Sequence, residues 1–384
     1  LNQLPTINGL FVSFFRLGLT AFGGPAMVAH IRELSTQRNQ WLDETDFKNG
    51  VAFCQAIPGA TAIQTAAYVG LKVRGIPGAL AAYSGFGLPA FIFMLLLSVL
   101  YGQLINLPKF ISLFNGLQVI VVAIILNAAY SFGRNVTNNY KSIIIALLAA
   151  ISLWFSVSPF FVIIGAGILG IALLKGSASS TVVISEKATQ WNAKQIMGLL
   201  ITFLICFAGL YFLSTVLFNL AAVMLKIDLF AFGGGFASLP LMLHEVVINK
   251  GWLDSKTFMD GIALGQVTPG PIIITATFVG YLVYGLPGAV VATIAIFTPS
   301  FFMVITIAPF FDRLKNSVYF MKALDGIFAS FVGLLVFVCI KFAMNVPWDV
   351  IRISLGLAAL TALLRKVDIM YIVPIGAVIS VFVL

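Results

Sequence analysis

Charge is scarce in this chain, since only 9% of its 384 residues are Asp, Glu, Lys or Arg. A soluble domain needs far more polar surface than that. Histidine and cysteine are rarer still, with two and three copies. Cys54, Cys206 and Cys339 stand far apart in apolar segments. They read as small core hydrophobes, which excludes a zinc centre or a redox pair. The clustered His, Cys, Asp or Glu of a membrane-embedded enzyme is missing as well. No enzyme activity, cofactor or metal is therefore expected. Lysines and arginines never form a run long enough to track phosphates, so the net charge of +9 implies no nucleic acid. Short loops carry these cations, where they fix membrane topology. Leu1 to Asn8 lack positive charge and do not resemble a secretory signal.

Apolar residues fill the rest. They make up 60% of the sequence, with 35 phenylalanines and a mean hydropathy of +1.07. About 20 such residues span a bilayer core. Thirteen apolar spans are expected, at roughly 8–30, 47–71, 77–102, 110–133, 141–156, 158–174 and 195–214, then 217–241, 257–281, 287–311, 317–343, 350–364 and 367–384. The fold class that follows is an all-α polytopic membrane protein.

One block occurs twice. Phe22-Gly-Gly-Pro25 aligns with Phe232-Gly-Gly-Gly235 at an offset of 210. Trp41-Leu42-Asp43 aligns with Trp252-Leu253-Asp254 at 211, as do Gln55 with Gln266 and Pro58-Gly59 with Pro269-Gly270. The offset returns to 210 for Gly70 with Gly280, Gly75 with Gly285, and Pro77-Gly-Ala79 with Pro287-Gly-Ala289. Order and spacing of this quality indicate a duplicated unit. The organisation expected is an N-terminal repeat over 1–174, a linker and connecting span over 175–216, and a C-terminal repeat over 217–384.

Six spans, one connector and six spans would set the repeats in opposite orientations. Charge agrees: fourteen cations fall on the side of the N-terminus and six on the other. The positive-inside rule then puts the N-terminus in the cytoplasm and the C-terminus outside. Lys72 and Arg74 match Leu282 and Tyr284, as loops facing opposite sides would. Arg32, Arg38 and Lys48 dissent by lying outside in this scheme, unless span one or two is re-entrant.

Inverted repeats place substrate sites near the midplane, among interrupted helices. Gly23, Gly24 and Pro25 interrupt span one, and Gly233, Gly234 and Gly235 interrupt span eight. Pro58 and Gly59, with Pro269, Gly270 and Pro271, do the same in spans two and nine. Broken backbone at membrane depth is tolerated where it is buried in protein or lines a cavity, and restarted helices offer amides to an anion. Close helix packing or a simple kink is the plainer alternative. Arg16 and Lys226 match at 210, each about 13 Å into its span at 1.5 Å per residue. Two such cations would suit a doubly charged anion; snorkelling is the alternative. Gln55 and Gln266 precede the Pro-Gly breaks by three residues and would donate to an oxyanion or to loosened backbone. Asp43 and Asp254 read as helix caps.

These motifs together resemble the chromate ion transporter family. The first half carries Phe22-Gly-Gly-Pro25, Trp41-Leu-Asp-Glu44, Gln55 with Pro58-Gly59, Gln64, and Gly87-Leu-Pro89. The second carries His244-Glu-Val246, Gly265-Gln-Val-Thr-Pro-Gly-Pro271 and Thr275-Ala-Thr-Phe-Val-Gly280. Both halves match, so the likeness is to the long, fused form. Ala60 departs from the Pro-Gly-Pro usual at the first break, which puts strict symmetry of the halves in doubt. The resemblance implies export of chromate from the cytoplasm, giving resistance, with sulfate as an analogue. It implies a multi-pass protein of a prokaryotic plasma membrane, whose partners are the oxyanion and the bilayer. It leaves a homodimer, proton coupling and another, organic anion as substrate open.

Overall fold

The computed structural model describes residues 5–22, 24–137, 139–174 and 193–384. Gly23 and the connector stretch 175–192 lie outside these described residues. All regular structure among them is helical. The first copy runs α1 (Ile7–Thr20), α2 (Gly24–Arg32), α3 (Glu44–Ala56), α4 (Thr61–Leu104), α5 (Pro108–Val136), α6 (Tyr140–Trp154) and α7 (Pro159–Leu173). A connecting helix α8 (Ala193–Leu213) leads into α9 (Thr215–Phe230), α10 (Ser238–Met242), α11 (Ser255–Val267) and α12 (Thr275–Ile307). The second copy ends with α13 (Phe311–Lys315), α14 (Val318–Ala343), α15 (Val350–Leu364) and α16 (Ile369–Val383).

The duplication is visible residue by residue. Helices α6 and α15, and α7 and α16, begin and end 210 residues apart, while α3 and α11 do so at 211. Even an unusual feature recurs: a π-helical turn at Glu33–Arg38 has its counterpart at Leu243–Asn249. Such turns are rare and tend to mark functional places. Asp43 caps α3 by accepting from the Asp46 amide at 2.7 Å, and Asp254 accepts from Thr257 at 2.7 Å, as the sequence suggested.

Length alone would make α4 one helix of 44 residues, but Arg74 and Gly75 are non-helical and Gly75 has φ +66. A side chain on Gly70 would meet the Gly78 carbonyl oxygen at 2.2 Å. Residues eight apart in a straight helix are about 12 Å apart, so α4 is a tight hairpin with glycines at its crossing. The second copy repeats it in α12, with the turn at Tyr284–Gly285 and Gly280 against Gly288. The sequence expectation of separate spans on either side of these turns describes the chain better than the helix length does.

The chain forms two compact units. The first comprises Leu1–Leu95, Ser179–Gly235 and Thr268–Asn316; the second comprises Leu96–Ala178, Phe236–Val267 and Ser317–Leu384. Each unit therefore draws on both sequence repeats. In the second unit the copies trade partners: α14 packs on α6 and α7, and α5 packs on α15 and α16. Small residues allow the approach. Gly326 meets the Ala166 carbonyl and Gly170, and its counterpart Gly116 meets Ser380. Outward surfaces are apolar, as lipid requires. Helix α8 exposes Met197, Ile205 and Phe212 and buries only Ile196. Cys54 and Cys339 are buried, but Cys206 is exposed on α8. Its expected place in a core is corrected because this helix has almost no buried face.

Candidate functional site

Four helix ends come together in the first unit. Ala21 follows α1 and Ala231 follows α9, at matching positions. The Gly270 amide donates to the Ala21 carbonyl at 2.9 Å, and the Gly59 amide donates to the Ala231 carbonyl at 3.0 Å. Each copy's first helix thus closes the other copy's Pro-Gly break. Such an exchange of identical contacts is the mark of a two-fold relation between the copies. Gly59 and Gly270 take φ +115 and +105, where only glycine is comfortable. A side chain on Gly59 would strike Ser300 Oγ at 2.0 Å; on Gly270 it would strike Ala90 Cβ at 2.7 Å, and these two neighbours also match at 210.

Pro58, Gly59, Pro269, Gly270 and Pro271 are all buried. The run after α9 unwinds through Gly233 and Gly234, at φ +97 and +92. Gly234 lies against Thr61, where α4 restarts beyond the first break. By helix geometry the first amides of α4 lack partners within their own helix. Gly24 and Pro25 open α2. The two Pro-Gly breaks are therefore buried and each is bonded to the other copy, while Gly233, Gly234 and Gly235 are half-buried.

The four side chains expected beside them are distributed differently. Arg16 and Lys226 are both exposed, whereas their neighbours Gly18 and Asp228 are buried. Gln55 is exposed and lines a groove of about 370 Å³ with Arg32 and Lys48, between α2 and α3. Arg32 is ion-paired to Glu44 there. The equivalents of Arg32 and Lys48 in the second copy are Met242 and Met259, both buried. Gln266 is half-buried in the second unit, and its Nε2 is buried without a hydrogen bond.

Two buried polar clusters lie outside the site residues expected from the sequence, although Asp228 stood out there, with Asp325, as an acid well inside an apolar span. In the second unit, Asp260 Oδ2 accepts from the Tyr101 hydroxyl at 2.8 Å and Oδ1 accepts from Gln118 Nε2 at 2.8 Å. Both oxygens are satisfied, so the triad locks α4, α5 and α11 together. In the first unit, Asp228 Oδ2 accepts from the Ser300 amide at 2.7 Å and its hydroxyl at 2.5 Å. Asp228 is fully buried and its Oδ1 has no partner among the described residues. The available signal for this pair was an acid placed inside an apolar span; Asp325, the other such acid, is only half-buried.

Comparison with known proteins agrees with this architecture. The chromate transporter family profile matches twice, over residues 9–171 and 218–381. An uncharacterised transporter of Methanocaldococcus jannaschii is 40% identical over 99% of this chain and 95% of its own length. A chromate transport protein of Cupriavidus metallidurans is 30% identical, covering 94% of this chain and 88% of the relative. One from Pseudomonas aeruginosa is also 30% identical, covering 95% and 89%. No solved structure matches. The doubled helical unit, its paired breaks and these relatives together place the chain in the chromate transporter family, as a polytopic membrane transporter of the long, fused form.

Proposed function

We propose that this transporter exports chromate, or a sulfate-like tetrahedral oxyanion, from the cytoplasm and so confers chromate resistance. The observation that carries the reading is the reciprocal pair of bonds from Gly59 to Ala231 and from Gly270 to Ala21. It gathers the broken helix ends of both copies into one buried place, as transporters built from inverted repeats do at their substrate sites. The site comprises Gly23, Gly24, Pro25, Pro58, Gly59, Gly233, Gly234, Gly235, Pro269, Gly270 and Pro271. Arg16 and Lys226 stand five residues before the alanines that close the breaks and supply the positive potential. Gln55 and Gln266 serve as amide donors. Two relatives named as chromate transport proteins support the substrate class.

The N-terminus is cytoplasmic and the C-terminus outside, in a prokaryotic plasma membrane, and the repeats run in opposite directions. With the interior negative, moving a dianion outward gains about 4.6 kcal/mol per 100 mV. Uptake of labelled chromate and sulfate into inverted vesicles tests this at zero and inside-positive potential. Wild type is expected to accumulate chromate faster with the potential. Arg16→Ala and Lys226→Ala are each expected to lose about tenfold or more, the effect of roughly 1.4 kcal/mol. Absent chromate and sulfate flux in wild type would remove the substrate assignment. Undiminished flux in both variants would remove the cations from the site.

A further inference from the structure

The Asp228 cluster is more than the packing at the breaks requires. The first copy fills the corresponding places with Gly18 and Ala90, which close the helices on small apolar residues. The second copy fills them with Asp228 and Ser300, both fully buried. Burying a carboxylate is costly unless a function or a partner compensates. Two donors from Ser300 meet Oδ2, yet Oδ1 has none.

Gln64 adds a second unsatisfied oxygen to the same place. Its side chain is fully buried, Nε2 donates to the Pro58 carbonyl at 2.5 Å, and Oε1 has no partner among the described residues. Rotating the amide would turn an oxygen towards that carbonyl, so the orientation is fixed. Ser300 Oγ and Gln64 Nε2 crowd the same point beside Gly59, at 2.0 and 2.7 Å from where a side chain would begin. The groups are therefore neighbours. The second copy holds Ile274, buried and apolar, at the place of Gln64, so this polar side chain also belongs to one copy alone. Tyr83 is the titratable neighbour among the described residues; its hydroxyl donates to the Phe297 carbonyl at 2.6 Å and stands beside Ser300. Lys226 is exposed two positions before Asp228, and residues two apart on a helix do not face each other.

The Asp228 carboxylate, with one oxygen unpaired among the described residues, sits in the last turn of α9 beside unwound backbone, and Gln64 reaches the same place from the first turn of α4. That is an arrangement short of positive charge, and such ends coordinate sodium ions or protons in carriers. We infer that Asp228, Ser300 and Gln64 form a buried site for one monovalent cation, a proton or a sodium ion, whose binding and release couple an ion gradient to anion movement. Coupling rests on the transport reading above; the cation site itself does not. The proton case involves only transfer of H⁺ onto Oδ1, and the sodium case only coordination by Oδ1, Gln64 Oε1 and Ser300 Oγ.

The experiment uses the purified full chain in two arms. Infrared difference spectra across a pH change, and thermal unfolding with sodium against choline, read the site without any anion. A protonated-carboxyl band or a sodium-dependent rise in melting temperature is expected in wild type, and loss of that signal in Asp228→Asn. The amide retains an oxygen for Ser300, so this variant is expected to fold; Ser300→Ala, with its weaker signal, provides a second reading. The other arm measures chromate uptake by proteoliposomes under an imposed proton or sodium gradient at clamped potential. One gradient is expected to raise wild-type uptake several-fold and to leave Asp228→Asn unaffected. Wild type giving neither spectroscopic nor thermal signal overturns the site. A signal without gradient stimulation of an active carrier overturns the coupling. No chromate flux at all removes the transport reading, while the first arm still decides the site.

Discussion

Lys48 and Met259 hold the same place in the two copies, and their surroundings could hardly differ more. Lys48 is exposed in the groove with Arg32 and Gln55, while Met259 is fully buried in α11, which packs on α5 and α16. Lys48→Met is accordingly expected to leave the melting temperature almost unchanged, because it alters an exposed side chain. Met259→Lys is expected to destabilise by more than about 4 kcal/mol, since it buries an unpaired charge. Expression level and melting temperature check both. At this scale the sequence was only partly legible. Matched positions revealed the Pro-Gly breaks, because residues related by duplication keep their spacing, whereas the matched Arg16 and Lys226 are exposed. Asp260 with Tyr101 and Gln118 escaped, because no spacing rule links residues that meet only through tertiary packing.

Glycine has two different roles in the hairpins α4 and α12, and substitution separates them. Gly75 and Gly285 make the turns with φ +66 and +59, and nothing lies within 4 Å of an added side chain at either. Gly70 and Gly280 have ordinary helical backbone but meet carbonyl oxygens at 2.2 and 2.3 Å. Gly75→Ala is therefore expected to cost about 1–3 kcal/mol of backbone strain alone. Gly70→Ala is expected to cost more, because the two limbs of the hairpin must separate. Gly285→Ala and Gly280→Ala should rank in the same order, and melting temperatures of the four purified variants test it. An order reversed in either copy would mean that the crossing, not the turn, is the tolerant part. The turns were legible because Gly-x-Pro-Gly punctuates an apolar run in both copies. The exchange of partners between α5 and α14 was not, because apolar helix faces carry no record of which neighbour they meet.

The arrangement of the whole molecule in the membrane turns on which way each copy runs. Helical content and apolar surface do not decide it, and the reciprocal bonds at the breaks fix a two-fold relation without fixing its axis to the bilayer. The proposed direction rests on charge, through Lys72 and Arg74 at one hairpin tip and Leu282 and Tyr284 at the other. Arg74 Nε also donates to the Pro5 carbonyl at 2.8 Å, which ties the first tip to the start of α1. That tip and the N-terminus therefore share one side, as the positive-inside reading requires. Arg74 and Tyr284 are both exposed and lie at matching positions, so each can report its side. With Cys54, Cys206 and Cys339 replaced by serine or alanine, Tyr284→Cys is expected to react with an impermeant maleimide in intact cells. Arg74→Cys is expected to react only in inverted vesicles. Labelling of both from the same side would make the repeats parallel and would dissolve the argument that two cations approach one anion from opposite faces. Labelling from opposite sides would put the two hairpin tips on opposite faces of the membrane, as copies running in opposite directions require.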